Sequence, residues 1–211
     1  MIPSREEMHK ALVKRHGALL QSKLDSTTVA ICGLGGLGSN IAIALARTGI
    51  GKLILTDFDK VDITNLHRQQ YKANQIGFFK TEALKYNLKE ISPYTEVEIC
   101  NEKINEENFK NILKNSDIIC EAFDDAEAKS MLTECVLNTF PDKYLIAASG
   151  MAGISSSNNI KTRKITNHFY LCGDGVSDVN DDIGLISSRV MVCASHQAHM
   201  VIRIISEQFD A

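Results

Sequence analysis

An apolar run of strand length, Val29 to Cys32, leads directly into GLGGLG at Gly33 to Gly38. Beyond it, Ile41, Ala42, Leu45 and Ala46 recur at helical spacing. A glycine-rich turn between a strand and a helix leaves the chain few folds to choose from. Gly33, Gly35 and Gly38 fit the spacing GxGxxG, with Gly36 beside them. They allow a tight reversal and a close backbone approach, while the helix offers unpaired N–H groups and the positive end of its dipole. Gly49 stops the helix and Leu53 to Leu55 reads as the next strand, so the two strands should lie parallel with a right-handed crossover. Asp57, at the end of that strand, stands about 20 residues on, where a carboxylate accepts from ribose hydroxyls. Turn and carboxylate together point to a purine-nucleotide site. The bland alternative is tight helix–strand packing with an ordinary capping turn.

Strand-like and helical segments alternate through most of the chain. Helical periodicity runs over Lys80 to Ile91, Phe109 to Leu113 and Ala126 to Leu137, with apolar runs at Val97 to Cys100, Ile118 to Phe123 and Leu145 to Ala148. The expected fold is α/β, a Rossmann-like, doubly wound, mostly parallel sheet with helices on both faces. With 211 residues and 44% of them hydrophobic, the chain is expected to form a single domain. Its parts are an N-terminal helical segment (1–27), a nucleotide-binding core (28–149), and a strand-containing excursion with a final helix (150–211). The excursion, Gly150 to Asp182, is polar and is expected to be mobile and to hold a small antiparallel pair. Ser187 to Phe209 reads as the closing helix.

A net charge of −3 argues against a global field that draws nucleic acid or anionic lipid. No membrane span or signal peptide is evident, so a cytoplasmic protein is expected. The six cysteines are scattered without a CxxC and read as reduced and mostly buried.

NAD and ATP both suit the turn, and the residues after it separate them. Asn65, Arg68 and Gln69 follow the second strand, and Lys80 opens a helix. A dinucleotide has little use for two further cations, whereas a triphosphate needs them to hold its charge and that of a leaving pyrophosphate. Asp124, after the strand Ile118 to Phe123, should reach the same edge of the sheet and can hold Mg²⁺. The alternative is a solvated edge on which Arg68 and Lys80 form surface ion pairs.

In order and approximate spacing, GLGGLGSN, Leu55-Thr56-Asp57-Phe58-Asp59, Asn65-Leu66-His67-Arg68-Gln69, Gly77-Phe78-Phe79-Lys80 and Phe123-Asp124-Asp125 resemble the ThiF/MoeB/HesA family of adenylating enzymes. The compact length and the GDG at Gly173 to Gly175 look most like ThiF variants of thiamine biosynthesis. The resemblance implies ATP-dependent adenylation of the C-terminal glycine carboxylate of a ThiS-like sulfur-carrier protein. Arg68, Lys80 and Asp124 would be catalytic, with Asp57 on the ribose, Asn65 and Gln69 orienting phosphates, and Asp124 holding Mg²⁺. It also implies a homodimer in which an N-terminal arginine, Arg5 or alternatively Arg15, crosses to the partner's site. A molybdopterin-synthase carrier or a tRNA-modifying role is the runner-up within this class. Outside it stand an NAD-dependent oxidoreductase and a nucleotide-binding module without turnover.

Relatives often carry paired CxxC zinc ligands; this chain has none, so zinc is not expected. Cys172 is the one cysteine outside an evident core run and is a candidate for a covalent link to the carrier, although an incidental strand-end thiol explains it more simply. Cys193, His196 and His199 share a helical face, which packing explains better than a metal. Lys161, Arg163 and Lys164 offer a basic strip for an acidic partner or merely a solvated strand.

Overall fold

The computed structural model describes residues 2–180 and 183–211. Asp182, the far end of the expected excursion, lies outside them. Two leading helices, α1 (Arg5–His16) and α2 (Ala18–Ser26), precede β1 (Thr28–Cys32), α3 (Gly36–Thr48), β2 (Lys52–Thr56), α4 (Lys80–Ile91) and β3 (Glu96–Cys100). Then follow α5 (Phe109–Leu113), β4 (Ile118–Glu121), α6 (Ala126–Thr139), β5 (Tyr144–Ala148), β6 (Lys161–Lys164), β7 (Phe169–Gly173) and α7 (Ser187–Ile205).

The seven strands form one sheet in the order β3-β2-β1-β4-β5-β7-β6. All neighbours are parallel except β6, which runs antiparallel to β7. Strand order reverses between β1 and β4, and a crevice opens at such a switch point beyond the strands' C-terminal ends. In β1, Val29 and Ile31 join the apolar layer that holds α3, α4 and α7, while Ala30 and Cys32 face the layer that holds α5 and α6. Period-two alternation between two buried layers is why these strands read as unbroken apolar runs. Against the first layer, α7 sets Val190, Cys193, Ala194 and Val201 beside Ile41, Ala42 and Leu45 of α3. Full burial of Ile41 or Leu45 is worth about 2 kcal/mol each.

The excursion departs from expectation in one respect. The antiparallel pair exists, but β7 joins the main sheet beside β5, because Tyr170 and Cys172 fill the core between them. Cys172 is therefore a fully buried strand residue, and burial pushes its thiol up to about 11. A covalent link through it would require the sheet edge to open. The final helix stops at Ile205, four residues short of the expected Phe209, whose carbonyl instead accepts from the Tyr170 hydroxyl. Among the described residues no helix is long and apolar enough to cross a membrane.

Candidate active site

Gly33 turns the chain out of β1 with φ of +89°, and a Cβ there would lie 2.8 Å from the Ala122 carbonyl oxygen. The turn thus lies flat against the end of β4. Asp57 follows β2 and is buried at the centre of the crevice. Its carboxylate accepts the N–H of Leu34 at 2.6 Å and that of Asp59 at 2.8 Å, so its position is fixed to the glycine turn itself. Burial pushes the Asp57 carboxyl up, and the Lys80 ammonium with these two N–H groups opposes the rise.

The polar stretch after β2 forms two short 3-10 turns, Ile63–Asn65 and Ala73–Gln75. The first turn brings Asn65, Arg68 and Gln69 over the end of α3 as the carbonyl of Asn65 accepts from the N–H groups of Arg68 and Gln69. The Arg68 guanidinium donates to the Thr64 carbonyl at 3.2 Å, yet its Nε is buried with no partner among the described residues. Burial pulls its pKa down and the nearby Asp124 opposes this. Gln69 Oε1 and Thr56 Oγ1 are likewise buried and unpartnered. Three orphaned polar atoms along one crevice are rare enough in folded proteins to need an explanation, and a polar ligand is one.

Lys80 is buried at the start of α4, with its ammonium 2.7 Å from Asp59 and 3.8 Å from Asp57. Lys80 is itself buried while its partner Asp59 is half exposed, and among the described residues Arg68 has no carboxylate at ion-pair distance. Asp124 is exposed beyond β4. Arg68, Lys80, Asp124, Asp57, Asn65 and Gln69 all line one cavity of about 410 Å³, together with Gly33, Gly35 and Gly36. Gly38 lies beneath the turn, where it packs α3 against β1. Arg5 is elsewhere. It belongs to the exposed first turn of α1, whose approach is held by a hydrogen bond from Tyr94 to the Pro3 carbonyl at the opposite, N-terminal edge of the sheet. Arg15 lies exposed near the end of the same helix.

Two buried ion pairs beside the cavity were not foreseen from the sequence. Glu121 ends β4 almost fully buried, and its carboxylate takes Lys129 of α6 at 2.9 Å and the Phe123 N–H at 2.7 Å. Burial pushes this carboxyl up, and Lys129 opposes it. A glutamate inside the apolar run Ile118 to Phe123 was the available signal. Asp174, within the GDG sequence, pairs with Arg189 of α7 at 2.5 Å, both side chains being buried. Burial would raise the Asp174 carboxyl, but hydrogen bonds from Ser177, Val176 and Arg189 outweigh it and hold it at about 2. A depressed carboxyl contributes stability above its ordinary value of 3.8 that is lost as pH falls through its folded value. Acidification from pH 4 to 2 should therefore loosen the expected mobile excursion, which this pair pins at neutral pH. Amide protection over residues 150–156, taken relative to the intrinsic exchange rate at each pH, should fall in that window, and Asp174→Asn should already show low protection at pH 5.

The remaining candidates disperse. Cys193 is buried in the core, and His196 bonds Thr162 through Nδ1 at 3.0 Å while His199 is exposed. Among the described residues no three His, Cys, Asp or Glu side chains are grouped to hold a metal. The basic strip is divided, because Arg163 folds over the Gly175 backbone and Lys164 lies over the Tyr170 ring.

The chain is 36% identical over 113 residues to a molybdopterin-synthase adenylyltransferase of Haemophilus influenzae, covering 53% of this chain and 46% of that protein. It is 31% identical over 172 residues to ubiquitin-like modifier-activating enzyme 5 of Gallus gallus, covering 78% and 42%. The chain spans less than half the length of these curated relatives. An E. coli tRNA N6-threonylcarbamoyladenosine dehydratase, solved in complex with ATP, shares the fold with a TM-score of 0.86 at 18% identity, covering 99% of this chain and 98% of that one. The ThiF family profile matches residues 8–210, nearly the whole chain, and the protein belongs to the ThiF family.

Proposed function

We propose that the chain is one adenylating domain that uses ATP to activate the C-terminal glycine carboxylate of a small ubiquitin-like sulfur carrier of the ThiS type. The observation that carries this reading is the crevice itself, where Arg68 keeps a buried, unpartnered Nε beside Gln69 Oε1 and a buried lysine. Bare, these groups are costly; beside phosphate oxygens and ribose hydroxyls they gain partners. A nicotinamide dinucleotide brings less anionic charge to Arg68 and Lys80 than a triphosphate does, which favours the triphosphate.

Asp57 holds the ribose hydroxyls on the lone pairs left over from Leu34 and Asp59. The turn at Gly33 to Gly36 takes the phosphates at the N-terminus of α3. Arg68 and Lys80 neutralise charge on the phosphates, with Asn65 and Gln69 orienting them. Asp124, a hard oxygen donor at the mouth, would hold Mg²⁺, which when bound supplies further neutralisation of the departing pyrophosphate. The carrier's carboxylate oxygen bonds to the α-phosphorus as the bond to pyrophosphate breaks, leaving an acyl-adenylate for a sulfur nucleophile. No group of the protein needs to become covalently attached, in keeping with the burial of Cys172. Arg5 lies at the wrong edge to reach its own crevice, and this supports a dimer in which a second copy supplies it.

Labelled pyrophosphate should exchange into ATP only when a small protein ending in Gly-Gly is added with Mg²⁺, and the active species should have the mass of a dimer. A ThiS-type carrier should outperform a molybdopterin-synthase carrier. Tight NADH binding without exchange, or exchange driven by tRNA alone, would overturn the assignment.

A further inference from the structure

None of the three GDG residues lines the crevice, yet their geometry is tightly constrained. A Cβ on Gly173 would lie 1.9 Å from the Ser149 carbonyl oxygen, and one on Gly175 would lie 2.9 Å from Arg163. Both glycines have positive φ. Only a turn without side chains at these two positions can press Asp174 into the interior. There one carboxylate oxygen accepts the N–H groups of Val176 and Ser177, each at 2.9 Å, and the Ser177 hydroxyl at 3.1 Å. The other oxygen takes Arg189. The same guanidinium donates from Nε to the Ala152 carbonyl at 3.0 Å and from Nη1 to those of Ser155 and Ser156 at 2.5 and 2.9 Å. Ser177 Oγ closes the lacing by accepting the Ala152 N–H at 3.1 Å. One ion pair thus ties the loop after β5, the turn after β7 and the start of α7 into a unit.

That unit forms the wall of the cavity opposite Lys80, through Gly150, Met151, Ala152, Ser177 and Val179. The wall differs in chemistry from the phosphate side. Those residues carry no cation; with the Asp178 carboxylate between Ser177 and Val179, they present backbone groups and small apolar surface. Such a surface suits an extended, uncharged peptide, which is bound through backbone hydrogen bonds and small contacts, and suits phosphate poorly. We propose that Asp174 and Arg189 are positioning residues for the acceptor: their ion pair sets the wall along which the carrier's C-terminal Gly-Gly tail lies on its way to the α-phosphorus. The inference rests on the adenylation reading and adds to it which part of the protein discriminates the second substrate.

The test separates nucleotide from acceptor. Asp174→Asn keeps the N–H acceptor but removes the charge partner of Arg189, and Ser177→Ala removes the hydroxyl that accepts from Ala152 and donates to Asp174 while leaving the ion pair with Arg189 in place. Both variants should bind ATP within about twofold of the wild-type protein by calorimetry, while KM for the carrier in pyrophosphate exchange rises about tenfold and kcat changes little. The Ser177→Ala variant keeps the question decidable if Asp174→Asn does not fold. Loss of ATP affinity in step with the carrier KM would show a merely structural role and overturn the inference, as would an unchanged carrier KM in a folded variant. No carrier-dependent exchange in the wild-type protein would instead overturn the adenylation reading, and the inference with it.

Discussion

Arg68→Ala is expected to lower carrier-dependent pyrophosphate exchange by two to three powers of ten, the usual cost of losing one donor aimed at developing charge, while leaving the melting temperature unchanged or slightly higher. The two halves of this expectation have one origin. Without substrate the guanidinium is poorly served: Nη1 has the Thr64 carbonyl at 3.2 Å, Nε is buried and unpartnered, and burial drags its pKa down. A cation held this way weakens the fold and is compensated only when a polyanion arrives, so its removal costs catalysis and spares stability. Lys80→Met makes the contrast. Lys80 is buried between Asp57 and Asp59, and its loss leaves a buried carboxylate without its counter-charge. Breaking such a pair by deleting one partner costs about 3–5 kcal/mol. Thermal unfolding of the two variants beside the exchange assay checks both halves, and an Arg68→Ala protein that melts far below the wild type would show that the arginine is a structural cation.

The candidate residues that line the crevice were legible in the sequence because each sits at a chain position whose geometry is nearly forced. A glycine turn after a strand, a carboxylate ending the next strand and an acid after the fourth must meet at the switch point of a parallel sheet, whatever the side chains elsewhere. Lys80 was legible by type, although its environment was not: only the fold reveals that it is buried and that the half-exposed Asp59 meets it. Cys172 shows the converse. In a segment rich in Ser, Asn and Gly it looks peripheral, but alternation places it and Tyr170 on the core side of a strand whose partner, β5, lies more than twenty residues earlier. The two buried ion pairs escaped for the same reason. Glu121 and Lys129 are eight residues apart and Asp174 and Arg189 are fifteen apart, and no local periodicity relates either pair. Such charges are identifiable only as oddities: an acid inside an apolar run, an arginine opening an apolar helix.

Gly38→Ala should be among the most damaging single methyls in the chain. Gly38 needs no unusual backbone angle; its constraint is space. A Cβ there would stand 1.8 Å from the Gly33 carbonyl oxygen and 3.1 Å from a methyl of Ile31, and the atom it meets is backbone, which cannot rotate away. Either α3 lifts from β1 or the glycine turn deforms. The first loses contacts of Ile41 and Leu45 with the core, and the second moves the Leu34 N–H that fixes Asp57. Overpacking of this severity costs about 3 kcal/mol, which for a chain of this size lowers the melting temperature by about 10 °C. Gly35→Ala is the control. Its Cβ would find only the Gln69 amide nitrogen, at 3.7 Å, so the fold should hold. The added methyl would nevertheless stand beside the proposed phosphate cradle, where Gly35 lines the cavity. Its expected signature is a wild-type melting temperature with weakened ATP binding, the reverse of what a packing glycine would give. Were Gly38→Ala to melt like the wild type, the third glycine of the turn would have no packing role and the close approach of α3 to β1 would need another cause.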